Sequence, residues 1–389
     1  MTAYDYPFNS FIGLELADGY ADARERPGLT RVKPPLGEPA WLVTRYEEAK
    51  QVLADRRFSR AEAHRRDAPR ALSRVPGGIV TMDPPELTRI RGLAVKTFTP
   101  QRVERLRPHV RRLAHELIDL MVDVGAPADL VRDFSLPIPI AVICELLGVP
   151  ACEHERFRLW NDALLATDLP PAEARRNLDE LAGYFTRLIV RRREEPAEDL
   201  ISALVEACDA DDELSEKDLI LLCVALLVAG YEATASQIPN FLHVLFRNPE
   251  QLARLRADPE LIPNAVEELL RFVPLASSAM FAHYPSEDVE VGGTVVRQGE
   301  PVLVSIGAAN RDAARFAGPE ELDLDRNAQG HLAFGYGIHH CVGAPLGRIE
   351  LQEALHALLT RLPGLRQAGK IEWKTATFFR GPLTMPVTW

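Results

Sequence analysis

No uninterrupted apolar run in this 389-residue chain is long enough to cross a bilayer. The longest uninterrupted apolar run, Leu219–Ala229, has eleven residues, whereas a spanning helix needs about 20. The N-terminal MTAYDYPFNSFIGLELADGY has no charged region leading into an apolar core, so it reads as neither an export signal nor an anchor, and a cytoplasmic protein is expected. Cysteine is scarce: five residues, unevenly spaced and without a C-x-x-C pair, which excludes a disulfide-stapled scaffold. Positive charge is short as well. Lys and Arg number 45 against 56 Asp and Glu, a net charge of −11, and gripping nucleic acid needs a basic face to neutralise phosphates. Repeats, low-complexity tracts and Gly/Ser linkers are missing. A prior of about 150 residues per domain would suggest two or three domains, but without a linker the expectation is one large domain over residues 1–389.

What the chain does have is helical periodicity. Residues 28–44 read as a short β region, Leu29–Val32 and Trp41–Thr44 around a Pro-Pro-Leu-Gly turn. From there to about residue 275 apolar residues recur at i, i+3 and i+4, over Tyr46–Ala54, Pro100–Val124, Pro171–Arg193 and Ile262–Phe272. Asp288–Ser305 alternates around Gly292-Gly293 and predicts a hairpin. A helix follows Gly343, and the last twenty residues return to β character. The pattern predicts a mainly α protein with small β sheets.

One helix stands apart. Ser215 with Asp218 three residues on predicts a capping box, and the pattern then runs to Arg247 before Asn248-Pro249 stops it. Such a helix is about 48 Å long, and its first half is apolar all round, which puts it in the core. Gly230, Glu232, Thr234, Ser236, Gln237 and Pro239 then follow. A mid-helix Gly costs about 1 kcal/mol and a Pro about 3. Two explanations stand: a local kink with Glu232 on a solvated side, or a groove where a ligand lies against the backbone.

The chemistry-bearing stretch is Phe334-Gly335-Tyr336-Gly337-Ile338-His339-His340-Cys341-Val342-Gly343. Three glycines surround a thiol, which suits a loop that a flat ligand approaches closely. A helix over about Ala344–Arg361 starts just after it, and a sulfur at a helix N-terminus meets unpaired N–H groups that favour thiolate. Zinc fits poorly, because adjacent His339, His340 and Cys341 cannot all converge on one ion. A single thiolate suits heme, whose porphyrin supplies four other ligands.

This run resembles the F-G-x-G-x-H-x-C-x-G heme loop of the cytochrome P-450 heme-thiolate monooxygenases. Glu268-Leu-Leu-Arg271 resembles the family's E-x-x-R pair, and Ala229-Gly230-Tyr231-Glu232 its A-G-x-E oxygen-binding segment. Asn310-Arg311-Asp312 with Phe316 resembles the stretch before the loop. The motifs lie in the family's order, about 40 and then 70 residues apart. The similarity covers nearly the whole chain and is greatest to soluble bacterial members that tailor macrolides and other polyketides.

The resemblance implies a single heme-thiolate monooxygenase fold with a long central helix over heme b, and Cys341 as the iron ligand. Ala229, Gly230, Phe334, Gly335 and Gly343 would line the heme, and Glu268 and Arg271 would be structural. For its carboxylates the family usually offers an H-x-x-x-R pair, a later Arg, and a His two before the cysteine. Here Leu87 replaces the first His, Arg91 stays, His283 takes the later Arg position, and His339 matches. Proton delivery would use Glu232; the alcohol that usually follows is replaced by Ala233, and Thr234, about 100° further round the helix, cannot simply substitute. Met82, Val273, Leu275, Met280, Phe281, Phe378 and Phe379 would line an apolar substrate pocket, near an Arg-rich loop (Phe58–Met82). The implied activity is hydroxylation or epoxidation of a natural-product scaffold with O₂. Electrons would come from a ferredoxin and an NAD(P)H-dependent ferredoxin reductase, docking on Arg102, Arg105, Arg107, Arg111 and Arg112. The same site used for oxidative ring coupling or desaturation, and a non-catalytic heme-binding or sensing protein, are the alternatives.

Overall fold

A computed structural model of the chain describes every residue except 1–2, 11, 73–76, 167–168, 211–214, 277 and 376, and leaves aside the side chains of 96, 97, 100 and 171. Arg74 of the Arg-rich loop therefore lies outside the described residues. The helices that frame the site, labelled in chain order, are α1 (Glu86–Thr97), α2 (Pro100–Glu104), α3 (Arg107–Val124), α4 (Pro137–Leu146), α5 (His154–Leu165), α6 (Glu216–Arg247), α7 (Ile262–Phe272) and α8 (Ala344–Arg361). The stretch expected as one helix over Pro100–Val124 is two, α2 and α3. Thr99 caps the first by accepting the N–H of Arg102, and Pro108 near the start of the second has no N–H to continue a helix through.

The β structure is small. Strands β1 (Tyr4–Asp5), β2 (Thr30–Lys33), β3 (Ala40–Val43), β4 (Phe58–Ser59), β5 (Ala282–Pro285), β6 (Val289–Val291), β7 (Thr294–Val296) and β8 (Val302–Val304) precede the Cys341 loop in the chain. Six of them form a sheet in the order β1-β2-β3-β8-β5-β4, and β6 and β7 make the expected hairpin around Gly292-Gly293. Both glycines adopt positive φ, 56° and 78°, the conformation that a two-residue hairpin turn requires. The two-residue strand β4 was not legible in the periodicity. It pairs antiparallel with β5, Phe58 opposite Pro285 and Ser59 opposite Tyr284.

Helix α6 starts at the expected capping box, with Ser215 and Asp218 each bonding the other's backbone N–H, and runs 32 residues to Arg247. By length and composition it could cross a membrane, yet 56% of its most apolar stretch is buried inside the fold. The helix continues through Gly230 and Pro239 without a break. Ser236, Gln237, Ile238, Pro239 and Asn240 are all buried, so packing outweighs the local propensity cost. Gly230 has a packing reason: a Cβ there would meet the Ile143 side chain at 3.0 Å. The glycine lets α4 pack closely against α6. The main apolar core gathers residues from Leu14 to Val387 around this helix.

One buried ion pair orders the long connection that leads to Cys341. Glu268 and Arg271, one turn apart on α7, are both fully buried and joined by two bonds of 2.7 Å. Arg271 then donates Nη1 to the carbonyls of Asn310 and Pro319, each at 2.9 Å, and Nη2 to Glu321 at 3.2 Å. Glu268 also accepts the N–H of Asp323 and Nε of Arg326, each at 3.1 Å. Asn310 passes the order on, its side chain accepting the N–H of Leu332 at 2.7 Å. Removing one partner of such a pair strands the other charge, at about 3–5 kcal/mol. Arg271→Ala is expected to lose soluble, heme-competent protein and not merely to slow turnover; a stable Arg271→Ala chain with full heme content, measured by absorbance per protein, would contradict this.

Candidate functional site

The cysteine loop is closed by its own backbone. The N–H of Cys341 donates to the Phe334 carbonyl at 2.9 Å, that of His340 to Gly337 at 3.1 Å, and that of Gly335 to Leu332 at 2.8 Å. Gly335 and Gly337 take φ of 71° and 70°. A Cβ on Gly337 would lie 2.3 Å from the Leu53 carbonyl oxygen, so that glycine exists for the turn and for a neighbouring backbone, not for a flat ligand. Gly343 caps α8, and a Cβ there would only touch the Cys341 sulfur, at 3.8 Å.

The thiol is not a pre-formed thiolate. Protein surrounds it on most sides although its surface is open, and that burial pushes its pKa up. The backbone N–H groups of Gly343 and Ala344 and the guanidinium groups of Arg91 and Arg348 pull the other way without prevailing. The helix start therefore lowers the cost of ionisation, and a metal must supply the remainder.

Beneath the loop a second carboxylate of α7 is at work, one the sequence did not single out. Glu267 accepts Nε and Nη2 of Arg348 at 2.7 and 2.9 Å, and meets His331 Nε2 at 3.2 Å. His331 Nδ1 takes the Ala333 N–H at 3.1 Å, which leaves Nε2 as the donor to Glu267. Arg348 lies over the Phe334 ring, 4.5 Å from its centre. Burial raises the Glu267 carboxyl, but the bonds from His331 and Arg348 outweigh it and bring it down to about 2.

Helix α6 presents three chemically different faces in one turn, as 100° per residue requires. Ala229, though mid-helix, is exposed, and Ala233 one turn on is half-buried; this strip carries only methyl groups. Glu232 and Ser236 share a second face. There the Lys374 ammonium is 2.5 Å from Glu232 Oε1 and 3.1 Å from the Ser236 hydroxyl, which itself donates to Glu232 at 3.2 Å. Thr234 points almost opposite to Glu232 and donates to Glu350 of α8 at 3.1 Å. Burial pushes the Glu350 carboxyl up to about 8, so it holds its proton at neutral pH. Glu232 is thus not on a solvated side, and Thr234 does not share its face. Lys374 and Glu350 were missed, since both come from remote segments.

The basic groups expected for heme carboxylates fall in one region. Arg91 on α1 donates to the His340 carbonyl. Leu87, one turn earlier, is buried in the core. His339 keeps a buried Nε2 without a hydrogen-bond partner. His283 on β5 is buried, and burial and the charge of Arg60 hold its pKa well below its ordinary value. It is therefore neutral, which removes the cation expected at that position; its Nε2 accepts Arg60 Nε at 3.0 Å.

The pocket residues separate. Met280 and Phe378 line one small hollow together with Arg70, Ala71, Leu72 and Ala279. Ala276 bridges Phe379, and the Arg380 N–H reaches the Leu275 carbonyl at 2.7 Å, so these two loops meet as expected. Phe281 lies under the Arg60 guanidinium, and Met82 is half-buried. Val273 does not belong here: it is 2% exposed and packs into the main core. The expected basic docking face is also partly committed elsewhere, since Arg107 and Arg111 both clamp Glu353 of α8, at 3.0 and 2.8 Å.

These residues fit a heme. A thiol open on one side of its loop, a methyl-only strip on the central helix, an unpartnered buried His339 nitrogen, the buried guanidinium of Arg60 and the half-buried one of Arg91 match a flat, apolar, metal-bearing group with anionic edges. Comparison with known proteins agrees. Residues 31–364 match the family model described as Cytochrome P450. The chain is 51% identical over 389 residues to the mycinamicin IV hydroxylase/epoxidase of Micromonospora griseorubida, covering 99% of this chain and 98% of that one. It is 47% identical to the nocardicin C N-oxygenase of Nocardia uniformis subsp. tsuyamanensis, again over 99% and 98%. A solved structure of the mixed-function P450 MycG superposes over 100% of both chains with a TM-score of 0.95 at 49% identity.

Because Glu267 titrates at about 2 folded against an ordinary value of 4.5, its contribution is present in full above pH 4.5 and is lost as pH falls through 2. Glu267→Gln is expected to be less stable to urea at pH 7, with the gap to the parent narrowing steadily below about pH 4.5. A gap that stays constant from pH 7 to pH 3 would show that the carboxylate's charge does not hold the loop.

Proposed function

The chain belongs to the cytochrome P450 family, and from that premise we propose that it hydroxylates or epoxidises a macrolide-type natural product. It is a heme monooxygenase that binds a small-molecule substrate and takes electrons from a redox partner. We assign the partner as a ferredoxin with its NAD(P)H-dependent reductase, and place the protein in the cytoplasm as one domain over residues 1–389. The observation that carries the reading is the Cys341 loop, held at the start of α8 and matched over the whole chain by a macrolide hydroxylase/epoxidase at 51% identity.

Cys341 would ligate the iron, with Phe334, Gly335, Gly343, Ala229 and Ala233 around the ring and Arg91 and His339 at its carboxylates. When bound, heme supplies thiolate-assisted O–O cleavage, which puts one oxygen atom on the substrate and the other into water. The chain's own part is to order protons and exclude stray ones. The Gly343 and Ala344 N–H groups and Arg91 and Arg348 offset the negative charge on sulfur. Ala229 and Ala233 leave room for substrate against the helix. Glu232 Oε1, the Lys374 ammonium and the Ser236 hydroxyl form a closed triangle of 2.5, 3.1 and 3.2 Å that holds a proton at the face beside Ala233. No alcohol at 233 takes part, so a water or a substrate hydroxyl must bridge the last step.

With ferredoxin, reductase, NADPH and a macrolide of the mycinamicin class, one ¹⁸O atom from ¹⁸O₂ should enter the product. Unlabelled coupled or desaturated product would instead make the enzyme an oxidase. Glu232→Gln should divert reducing equivalents to peroxide and slow product formation by about 10²–10⁴-fold; unchanged coupling would remove this carboxylate from the relay.

A further inference from the structure

Arg60 sits one residue past the last paired position of β4. The register sets Phe58 opposite Pro285 and Ser59 opposite Tyr284, so its continuation brings Arg60 opposite His283. The contact is made: Arg60 Nε donates to His283 Nε2 at 3.0 Å, Nη1 donates to the Val80 carbonyl at 3.2 Å, and the guanidinium stacks on the Phe281 ring, 4.6 Å from its centre. Arg60 is 9% exposed and, among the described residues, makes no ion pair. Asp83 lies near, but its carboxylate is taken by the N–H groups of Arg60 and Ala61 and by the Ser59 hydroxyl.

A buried guanidinium without a carboxylate is costly unless an anion arrives. Burial lowers the Arg60 pKa to about 10 against the field of Asp83, so the group stays charged at neutral pH. His339, two residues before Cys341, keeps a buried Nε2 without a hydrogen-bond partner, and Arg91 donates to the carbonyl of the next residue, His340. His283 is a neutral acceptor and cannot supply the positive charge itself.

We propose that Arg60 pairs with one carboxylate of the heme, supplying from an N-terminal strand end the guanidinium that is missing at position 283, with His283 as its support and Arg91 and His339 serving the other carboxylate. This rests on the chain's being a heme protein. The anionic edge then neutralises a charge that the fold has already buried, and the Arg-rich loop is tied to the cofactor at one point.

The test is heme transfer from the loaded full-length protein to excess apomyoglobin, with hemin and with hemin dimethyl ester, whose carboxylates carry no charge. Arg60→Gln should release hemin on the order of 10- to 100-fold faster than the parent, Arg60→Lys should fall between them, and Arg60→Gln combined with His283→Arg should recover much of the loss. With the dimethyl ester, parent and Arg60→Gln should release at the same rate. Equal acceleration of hemin and ester would make Arg60 a packing residue and overturn the proposal, as would an unchanged hemin rate. The parent's ferrous–CO absorption separates two failures: with a thiolate band at about 450 nm an unchanged rate overturns this proposal alone, and without that band the heme-thiolate reading falls with it.

Discussion

Everything at the site depends on a thiol being held at a fixed place by two neighbouring carboxylates. Glu267 and Glu268 are adjacent on α7, about 100° apart around the helix, and each takes one side of the Cys341 loop. Glu268 fixes Arg271, which gathers the carbonyls of Asn310, Pro319 and Glu321, and Asn310 in turn fixes Leu332 at the loop's entry. Glu267 takes His331 before the loop and Arg348 after it. The loop is slung between them, with its glycines meeting the turn geometry and Phe334 clamped under Arg348. Buried ion pairs are weak evidence for net stability. Their use here is positional: several carbonyls and one helix start are brought into register by these charges.

The central helix shows how one turn can serve three tasks. Methyl groups at Ala229 and Ala233 leave space, Glu232 is tied to Lys374 and Ser236, and Thr234 turns away to a Glu350 that burial keeps protonated. One carboxyl has an ammonium beside it, and the other has only a hydroxyl and is kept protonated by its burial. The Glu353 of α8 adds a third arrangement, its charge pinned by Arg107 and Arg111, which couples α3 to the helix that begins just after the thiol.

Much of this was legible because it is local. Ile262–Phe272, Glu216–Arg247 and Ala344–Arg361 follow from apolar periodicity and capping, and the Cys341 loop from a glycine pattern ten residues long. What stayed hidden is tertiary. Lys374 lies 142 residues from Glu232 and Glu350 lies 116 from Thr234, and no spacing rule links them. Arg60 was one arginine of an Arg-rich loop until β4, too short to carry a period, set it against His283. Val273 misled for the same reason, since an apolar residue beside a pocket can face the core behind it. Glu267 is the instructive case, because two adjacent carboxylates on a strongly amphipathic helix are a visible sign that each needs its own cation.

The central claim, that the loop presents the Cys341 sulfur as the iron ligand of a monooxygenase, is tested most directly by the ferrous–CO difference spectrum of the heme-loaded parent and of Cys341→Ser. The account predicts absorption at about 450 nm for the parent, as thiolate ligation implies, and its complete loss in the serine variant. A band of that position and intensity persisting in Cys341→Ser would contradict it.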